Sequence, residues 1–242
     1  MNQNSRNNCE TIFPPFADME LPLLHLVLHE PDVALTDLAL SVETGIFAFF
    51  FARIVTENHL RISTSILFCF LSASSLLGAM YHGFFPLRTE TQIGWIIWIA
   101  TMLSIGGAAT MVWILIGVLM HKSLRWIVPG SLFLLEGYLL FLLFIDFHFW
   151  VSVAFSIPPL LALLFVFLSV GFRERSTAAV FGVISILLMF VASALQQKHV
   201  GIHPIYFNFN ALYHLIQGIA LALLFYSLRF LQEKGKSNFQ TR

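Results

Sequence analysis

The sequence predicts an all-α fold: a polytopic membrane protein built as a bundle of seven transmembrane helices. Of its 242 residues, 58% are hydrophobic and only 11% are charged, whereas a soluble domain is about 25% charged. Seven separate apolar runs each reach about 20 residues, the length needed to cross the hydrocarbon of a bilayer. The basic residues between these runs cluster on alternate loops, as expected for a chain that crosses the membrane each time.

The predicted spans follow one another through short connections, which favours a compact bundle of sequential neighbours. The third span is long enough to tilt. Pro158 and Pro159 predict a kink in the fifth span, because proline removes a backbone donor inside a helix. The spans cover residues 34–55, 62–85, 93–120, 126–145, 149–172, 177–195 and 207–228.

The basic residues also predict the orientation. Ten of the 13 Lys and Arg residues fall on one side of the predicted bundle and three on the other. Because basic loops stay in the cytoplasm, the N-terminus is predicted outside and the C-terminus inside, in the cytoplasmic (inner or plasma) membrane. Residues 1–33 then form an extracytoplasmic tail, 34–231 the transmembrane domain and 232–242 a cytoplasmic tail. The apolar patch LPLLHLVLH in the first tail is too short to span and is expected on the bilayer surface.

The composition narrows the classes of binding partner that the protein can have. Acidic and basic residues number 13 each, so the chain has no basic stripe that would bind a nucleic acid. Membrane lipids are the expected surroundings, and the oligomeric state stays open.

Ionisable side chains inside the predicted spans are the first candidates for function, because hydrocarbon penalises them by a few kcal/mol. They are Asp37, Glu43, His82, Glu136 and His214. At about 1.5 Å of rise per residue, Asp37, His82 and His214 lie in the outer half of the membrane and Glu43 lies near its centre. The alternative is structural, since such groups also form hydrogen bonds that hold helices together.

Helical periodicity shows which of these groups share a face. Asn210, His214 and Gln217 recur at the spacing of one face of the seventh span. Asp37 and Glu43 lie about 120° apart around the first span, so they need not share a site. If the first, second and last spans are neighbours, the outer polar groups line one cavity.

A second candidate lies in the N-terminal tail. His25 and His29 are four residues apart and would share one face of a helix, where two imidazoles can bind a metal. Pro22 and Pro31 leave little room for such a helix, which favours a structural role. The role of Glu136 is also open between an interhelical contact and a functional carboxyl group.

Two motifs carry a resemblance to a known superfamily. The segment GAMYHGF surrounds His82, and NALYHLIQ surrounds His214. Together with seven spans, they resemble the CREST superfamily, which includes the alkaline ceramidases and the PAQR (adiponectin and progestin) receptors. The longer run HPIYFNFNALYHLIQGIALALLFYS is still more similar to an uncharacterised group of bacterial seven-span proteins often placed beside that superfamily.

The resemblance implies a zinc site. In that superfamily, a Ser-x3-His pattern in span two and a His-x3-His pattern in span seven hold zinc, whose bound water hydrolyses an amide. Here, His82 and His214 match two of the ligands. Gly78 stands in place of the Ser, and Asn210 stands in place of the first His of the last span.

A third ligand is therefore needed if zinc binds. The candidates are Asp37, Glu43 and His203, of which Asp37 and Glu43 are also the candidate catalytic carboxylates. The resulting hypothesis is a metal-dependent hydrolase of a lipid-like amide or ester.

Two other functions remain open. The first is a non-catalytic membrane sensor, or a protein that binds lipids or other proteins; the missing Ser and His favour this alternative. The second is a transporter that uses Glu43 and Glu136. The chain shows no inverted repeat, which disfavours a transporter.

Overall fold

The computed structural model describes residues 19–21, 26–53, 58–85, 91–120, 122–203 and 206–240. These residues form a short antiparallel hairpin followed by seven long helices, each long and apolar enough to cross a membrane. The predicted fold class, an all-α bundle of seven membrane-spanning helices, is confirmed. The elements are β1 Met19–Leu21, β2 Leu26–Leu28, α1 Pro31–Arg53, α2 Asn58–Phe84, α3 Gln92–Leu119, α4 Leu124–Phe144, α5 Phe149–Glu174, α6 Thr177–Gln197 and α7 Phe209–Gln240.

The helix ends differ from the predicted spans in ways that local chemistry explains. Helix α1 begins at Pro31, because proline fits the first position of a helix, where its missing N–H is not needed. Helix α5 is one continuous element that includes Pro158 and Pro159, which neighbouring helices make tolerable in membranes. The kink predicted there stays a prediction. Helix α7 continues to Gln240, through most of the segment assigned to the cytoplasmic tail.

The apolar patch before α1 contributes to both strands of the hairpin: Leu21 ends β1, and Leu26–Leu28 form β2. Strand β2 pairs with β1, and the backbone N–H of His29 donates to the carbonyl of Gly83 at 3.1 Å. A Cβ at Gly83 would lie 2.8 Å from a methyl carbon of Leu28, so the glycine lets the chain lie close to the end of α2. His25 lies outside the described residues. The predicted position of the patch on the bilayer surface stays a prediction.

Six helices form a closed ring, and α4 lies outside it. Helix α1 packs on α2, α2 on α3, α3 on α5, α5 on α6, α6 on α7, and α7 returns to α1. Helix α4 packs mainly on α3, where Tyr138 donates a hydrogen bond to the carbonyl of Met102 at 2.9 Å. The expectation of sequential neighbours therefore holds for most pairs, but α3 is followed in the ring by α5.

Small side chains let the helices of the ring approach closely. Ser72 donates to the carbonyl of Ser41 at 2.8 Å, and Ser41 donates back to the carbonyl of Ser72 at 2.9 Å, so α1 and α2 exchange two hydrogen bonds. Ser185 of α6 donates to the carbonyl of Ala220 in α7 at 2.7 Å. Such small polar residues hold helices together where the hydrophobic effect is absent. One end of the ring is then filled by aromatic side chains, with the rings of Phe47 and Phe225 stacked 4.4 Å apart.

The packing of α5 on α6 predicts a strong effect at Gly182. A Cβ there would lie 2.6 Å from the ring of Phe167, which is fully buried. We expect Gly182→Ala to destabilise the bundle by about 1–3 kcal/mol, as overpacking of a core does. The measurement is the temperature at which the purified protein loses its main peak in size-exclusion chromatography. Gly130→Ala is the control, because nothing lies within 4 Å of a Cβ at that position. Equal midpoints for the two variants would contradict the packing described.

Candidate functional site

A cavity of about 920 Å³ lies inside the ring of six helices. Its polar end contains Asp37, His82 and His214, which the sequence predicts on the extracytoplasmic side. From Asn210 to Leu224, the lining of α7 extends roughly 21 Å along the helix, at about 1.5 Å per residue. The deeper wall is apolar and includes Leu67, Leu71, Val112, Leu163, Leu221 and Leu224. The cavity therefore joins a cluster of ionisable groups to a long hydrophobic slot.

His214 is held between two side chains of α1. Its Nδ1 lies 3.2 Å from Thr36 Oγ1, and its Nε2 lies 3.3 Å from Asp37 Oδ1. The Thr36 hydroxyl donates its proton to the carbonyl of Asp32 at 2.8 Å, so its oxygen accepts the Nδ1 proton of His214. The neutral imidazole then presents the lone pair of Nε2 to a carboxylate. Two such groups repel each other unless a proton or a metal cation lies between them.

His82 is held in a similar way. Its Nδ1 pairs with a carboxylate oxygen of Glu30, and both side chains are largely buried. A carboxylate at Nδ1 fixes the tautomer and leaves Nε2 available for a ligand. The contact between the hairpin segment and Gly83 brings Glu30 to this position. Tyr81 stacks on Trp98 with the ring centres 4.7 Å apart, which holds this end of α2 against α3.

Gly78 explains how the carboxylate of Asp37 fits between α1 and α2. A Cβ at position 78 would lie 2.6 Å from Asp37 Oδ2, so any side chain there would collide with the carboxylate. The Asp37 carboxylate occupies this space, and the Asp37 side chain is only 7% exposed.

The structure separates the other predicted candidates. Asn210 lines the cavity, and its Oδ1 accepts a hydrogen bond from Gln196 at 3.3 Å. Glu43 lies on another face of α1, beside Gly218, and lines a different, shallow depression. His203 is exposed, and its Nδ1 accepts a hydrogen bond from the backbone N–H of Tyr206. It does not line the cavity.

Three contributors to the site were missed by the sequence analysis. Glu30 and Thr36 orient the two imidazoles, and each contacts a residue far along the chain, which no local pattern reveals. The third is the entry into α5, where His148 just before the helix and Trp150 in its first turn border the cavity and both bond to Asp146. Hydrogen bonds from the backbone and side chain of His148 hold the pKa of Asp146 below its ordinary value. This carboxylate is therefore ionised at neutral pH, and it holds two residues that line the cavity.

The three central residues do not yet form a closed metal cluster. Across the described ranges, no three His, Cys, Asp or Glu side chains are grouped so that they enclose a metal ion. The imidazoles of His82 and His214 line the same cavity. Asp37 lines this cavity too, and its carboxyl group is adjacent to His214.

The contact between Gly78 and Asp37 is testable by a double-mutant cycle. We expect Gly78→Ala to lower the thermal midpoint of the protein, because the new methyl group displaces a buried carboxylate. In an Asp37→Ala background, the same change costs much less, since contacting residues couple by about 0.5–3 kcal/mol. Gly130→Ala, measured in both backgrounds, is the control and should be additive. Additive effects of Gly78→Ala would show that the two residues do not touch.

Comparison with known proteins gives a family but no activity. The family of unknown function DUF6962 matches residues 33–233, which include most or all of every transmembrane span. No curated protein matches the chain. No solved structure matches it either. The chain belongs to the DUF6962 family, and Glu30 lies just before the matched segment.

Proposed function

We propose that this protein is a metal-dependent intramembrane hydrolase that cleaves a lipid-like amide or ester. The observation that carries the proposal is the arrangement of His214, whose Nε2 faces the carboxylate of Asp37 while Thr36 occupies its Nδ1. In the proposal, His82, His214 and Asp37 are the ligands of a zinc ion. The likeness to the CREST superfamily, including the bacterial seven-span group, is part of the same proposal.

The donor chemistry fits zinc. Two imidazoles and one carboxylate are a ligand set of catalytic zinc sites, in which water takes the fourth position. Two ligands at roughly 2 Å from one tetrahedral ion lie about 3.3 Å apart, and the distance from His214 Nε2 to Asp37 Oδ1 in the structure is 3.3 Å. This distance is longer than a usual N–H···O hydrogen bond of about 2.7–3.2 Å. In the proposal, Asp37 replaces the imidazole that Asn210 does not supply.

The surrounding residues orient the ligands. Glu30 and Thr36 each hold the Nδ1 of one imidazole, so both rings keep Nε2 available. When bound, zinc would lower the pKa of its water and polarise the carbonyl of the substrate. The amide groups of Asn210 and Gln196 border the same part of the cavity and offer hydrogen bonds to a polar substrate group.

The cavity supports a lipid-like substrate. Its deep wall is apolar and extends roughly 21 Å along α7 at about 1.5 Å per residue, which suits a long hydrocarbon chain. The scissile bond would lie at the polar end, near His82 and His214. Burial of such a chain is favourable by about 0.8 kcal/mol per CH₂ when it leaves water. With the orientation predicted from basic residues, the reaction occurs in the outer half of the cytoplasmic (inner or plasma) membrane.

Metal content tests the ligand assignment. We expect protein purified without chelators and loaded with zinc to retain about one equivalent by mass spectrometry, because three protein ligands bind zinc tightly. His214→Ala and Asp37→Ala should each lose the zinc. Glu30→Gln should weaken zinc retention by about 10–100-fold, the usual effect of losing a group that orients a ligand.

Two matched variants serve as controls for that measurement. His203→Ala removes an exposed imidazole outside the cavity, and Glu43→Gln removes the other carboxyl group of α1. Both should retain zinc like the unaltered chain. The ligand assignment is wrong if the unaltered protein binds no zinc, or if His203→Ala and His214→Ala lose it equally.

A second function is favoured by one observation. Within the described residues, no three His, Cys, Asp or Glu side chains are grouped closely enough to hold a metal ion. This arrangement suits a non-catalytic sensor that binds a lipid in the same cavity. The Asp37–His214 pair would then share a proton instead of a metal.

Turnover separates the two functions. We expect the zinc-loaded protein in detergent micelles to hydrolyse a fluorogenic long-chain amide or its ester analogue. His214→Ala should reduce the rate at least about 100-fold, since several kcal/mol of transition-state stabilisation depend on the metal. Binding of both probes without turnover, unchanged by zinc or by a chelator, would favour the sensor and exclude the hydrolase.

A further inference from the structure

Helix α4 differs from the other helices in its surroundings. It lies outside the ring of six and buries a smaller share of its residues than any other described span. Trp126 and Phe133 are each 74% exposed, and Phe144 is 79% exposed. The side that it buries against the ring consists of Ser131, Tyr138 and Leu142. The rest of the helix faces outward.

Glu136 lies on the outward side of α4, near the centre of the membrane. It is two residues from the midpoint of Leu124–Phe144, or roughly 3 Å along the axis at about 1.5 Å per residue. Its side chain is exposed, and no described residue forms a hydrogen bond or an ion pair with it. At about 100° per residue, it points away from the buried side that Tyr138 marks.

Such a carboxyl group is unfavourable in hydrocarbon. A charged side chain at the centre of a bilayer costs a few kcal/mol or more, and intramembrane charges normally face the interior of a bundle or a partner. Asp37 follows that rule, because it is buried beside His214. Glu136 does not follow that rule, because its side chain is exposed and does not line the interior cavity. Its outward position therefore indicates a partner outside this chain.

The surface around Glu136 suits the approach of another helix. Gly130 and Gly137 are seven residues apart on one side of α4, and nothing lies within 4 Å of a Cβ at either position. Glycines of this kind let two helix backbones approach closely in a membrane. We call Gly130, Phe133, Glu136, Gly137 and Leu140 the α4 outer face; its two apolar side chains are both exposed.

We propose that the α4 outer face binds a transmembrane helix of another protein that carries a Lys or Arg near the middle of the bilayer. Charge complementarity identifies this partner. The Lys and Arg residues of this chain lie near the ends of its spans or beyond them, as Arg53, Arg61 and Arg125 illustrate. A second copy therefore supplies no cation at the depth of Glu136. This interaction is independent of the hydrolase chemistry.

A model peptide tests the proposal without knowledge of the natural partner. The full chain, with a fluorescent donor fused to its C-terminus, is reconstituted in lipid vesicles with an acceptor-labelled polyleucine transmembrane peptide. One peptide has a single central Lys and the other has only Leu. We expect at least tenfold tighter association of the Lys peptide. Glu136→Gln should abolish this preference, and Gly137→Leu should weaken it by blocking the close approach.

The controls separate binding from misfolding. Glu43→Gln removes the other carboxyl group near mid-membrane, which lies on α1, and should leave the preference intact. Thermal midpoints of Glu136→Gln and Gly137→Leu should match that of the unaltered chain, because positions 136 and 137 face outward. Equal association of the two peptides, or a preference that survives Glu136→Gln, would overturn the proposal. Self-association of the chain that Glu136→Gln abolishes would also overturn it, in favour of a second copy.

Discussion

Hydrocarbon offers no hydrogen bonds, so a polar side chain within the bilayer is stable only where the protein supplies its partner. The arrangement of Asp37 and His214 follows from this constraint. Both lie on helices that face the central cavity, and Thr36 occupies the second nitrogen of the imidazole. The same constraint makes the outward-facing Glu136 unusual, since the described part of the chain gives it no partner. Polar pairing thus organises the interior of the ring, whereas the exposed Glu136 lies outside it, on α4.

Close helix contacts depend on small residues at a few positions. Gly78 admits the carboxylate of Asp37 between α1 and α2, and Gly182 admits the ring of Phe167 between α5 and α6. The reciprocal serine hydrogen bonds between α1 and α2 act in the same way. Because α1, α2 and α7 are held together so closely, residues distant in sequence reach one site. The cavity lies inside the ring, and α4, which lies outside the ring, contributes no residue to its lining.

The short segment before α1 links the hairpin to the proposed chemistry. The backbone of His29 bonds to Gly83, and Glu30 reaches the imidazole of His82 one residue away from that anchor. The hairpin therefore contributes to the orientation of an imidazole in α2, although it lies outside the bundle. In the proposed hydrolase, this contact corresponds to a carboxylate that orients a metal ligand. The matched family segment begins at residue 33, so this contribution precedes it.

The sequence by itself determined the seven spans, because a run of apolar residues long enough to cross hydrocarbon is a local property of the chain. Helical spacing also placed Asn210, His214 and Gln217 on one face, and it separated Asp37 from Glu43. Only the tertiary structure decided that α5, not α4, follows α3 in the ring. It also decided that Glu30 and Thr36 orient the imidazoles. Those contacts join residues up to 178 positions apart, and helix packing, which periodicity does not encode, brings them together.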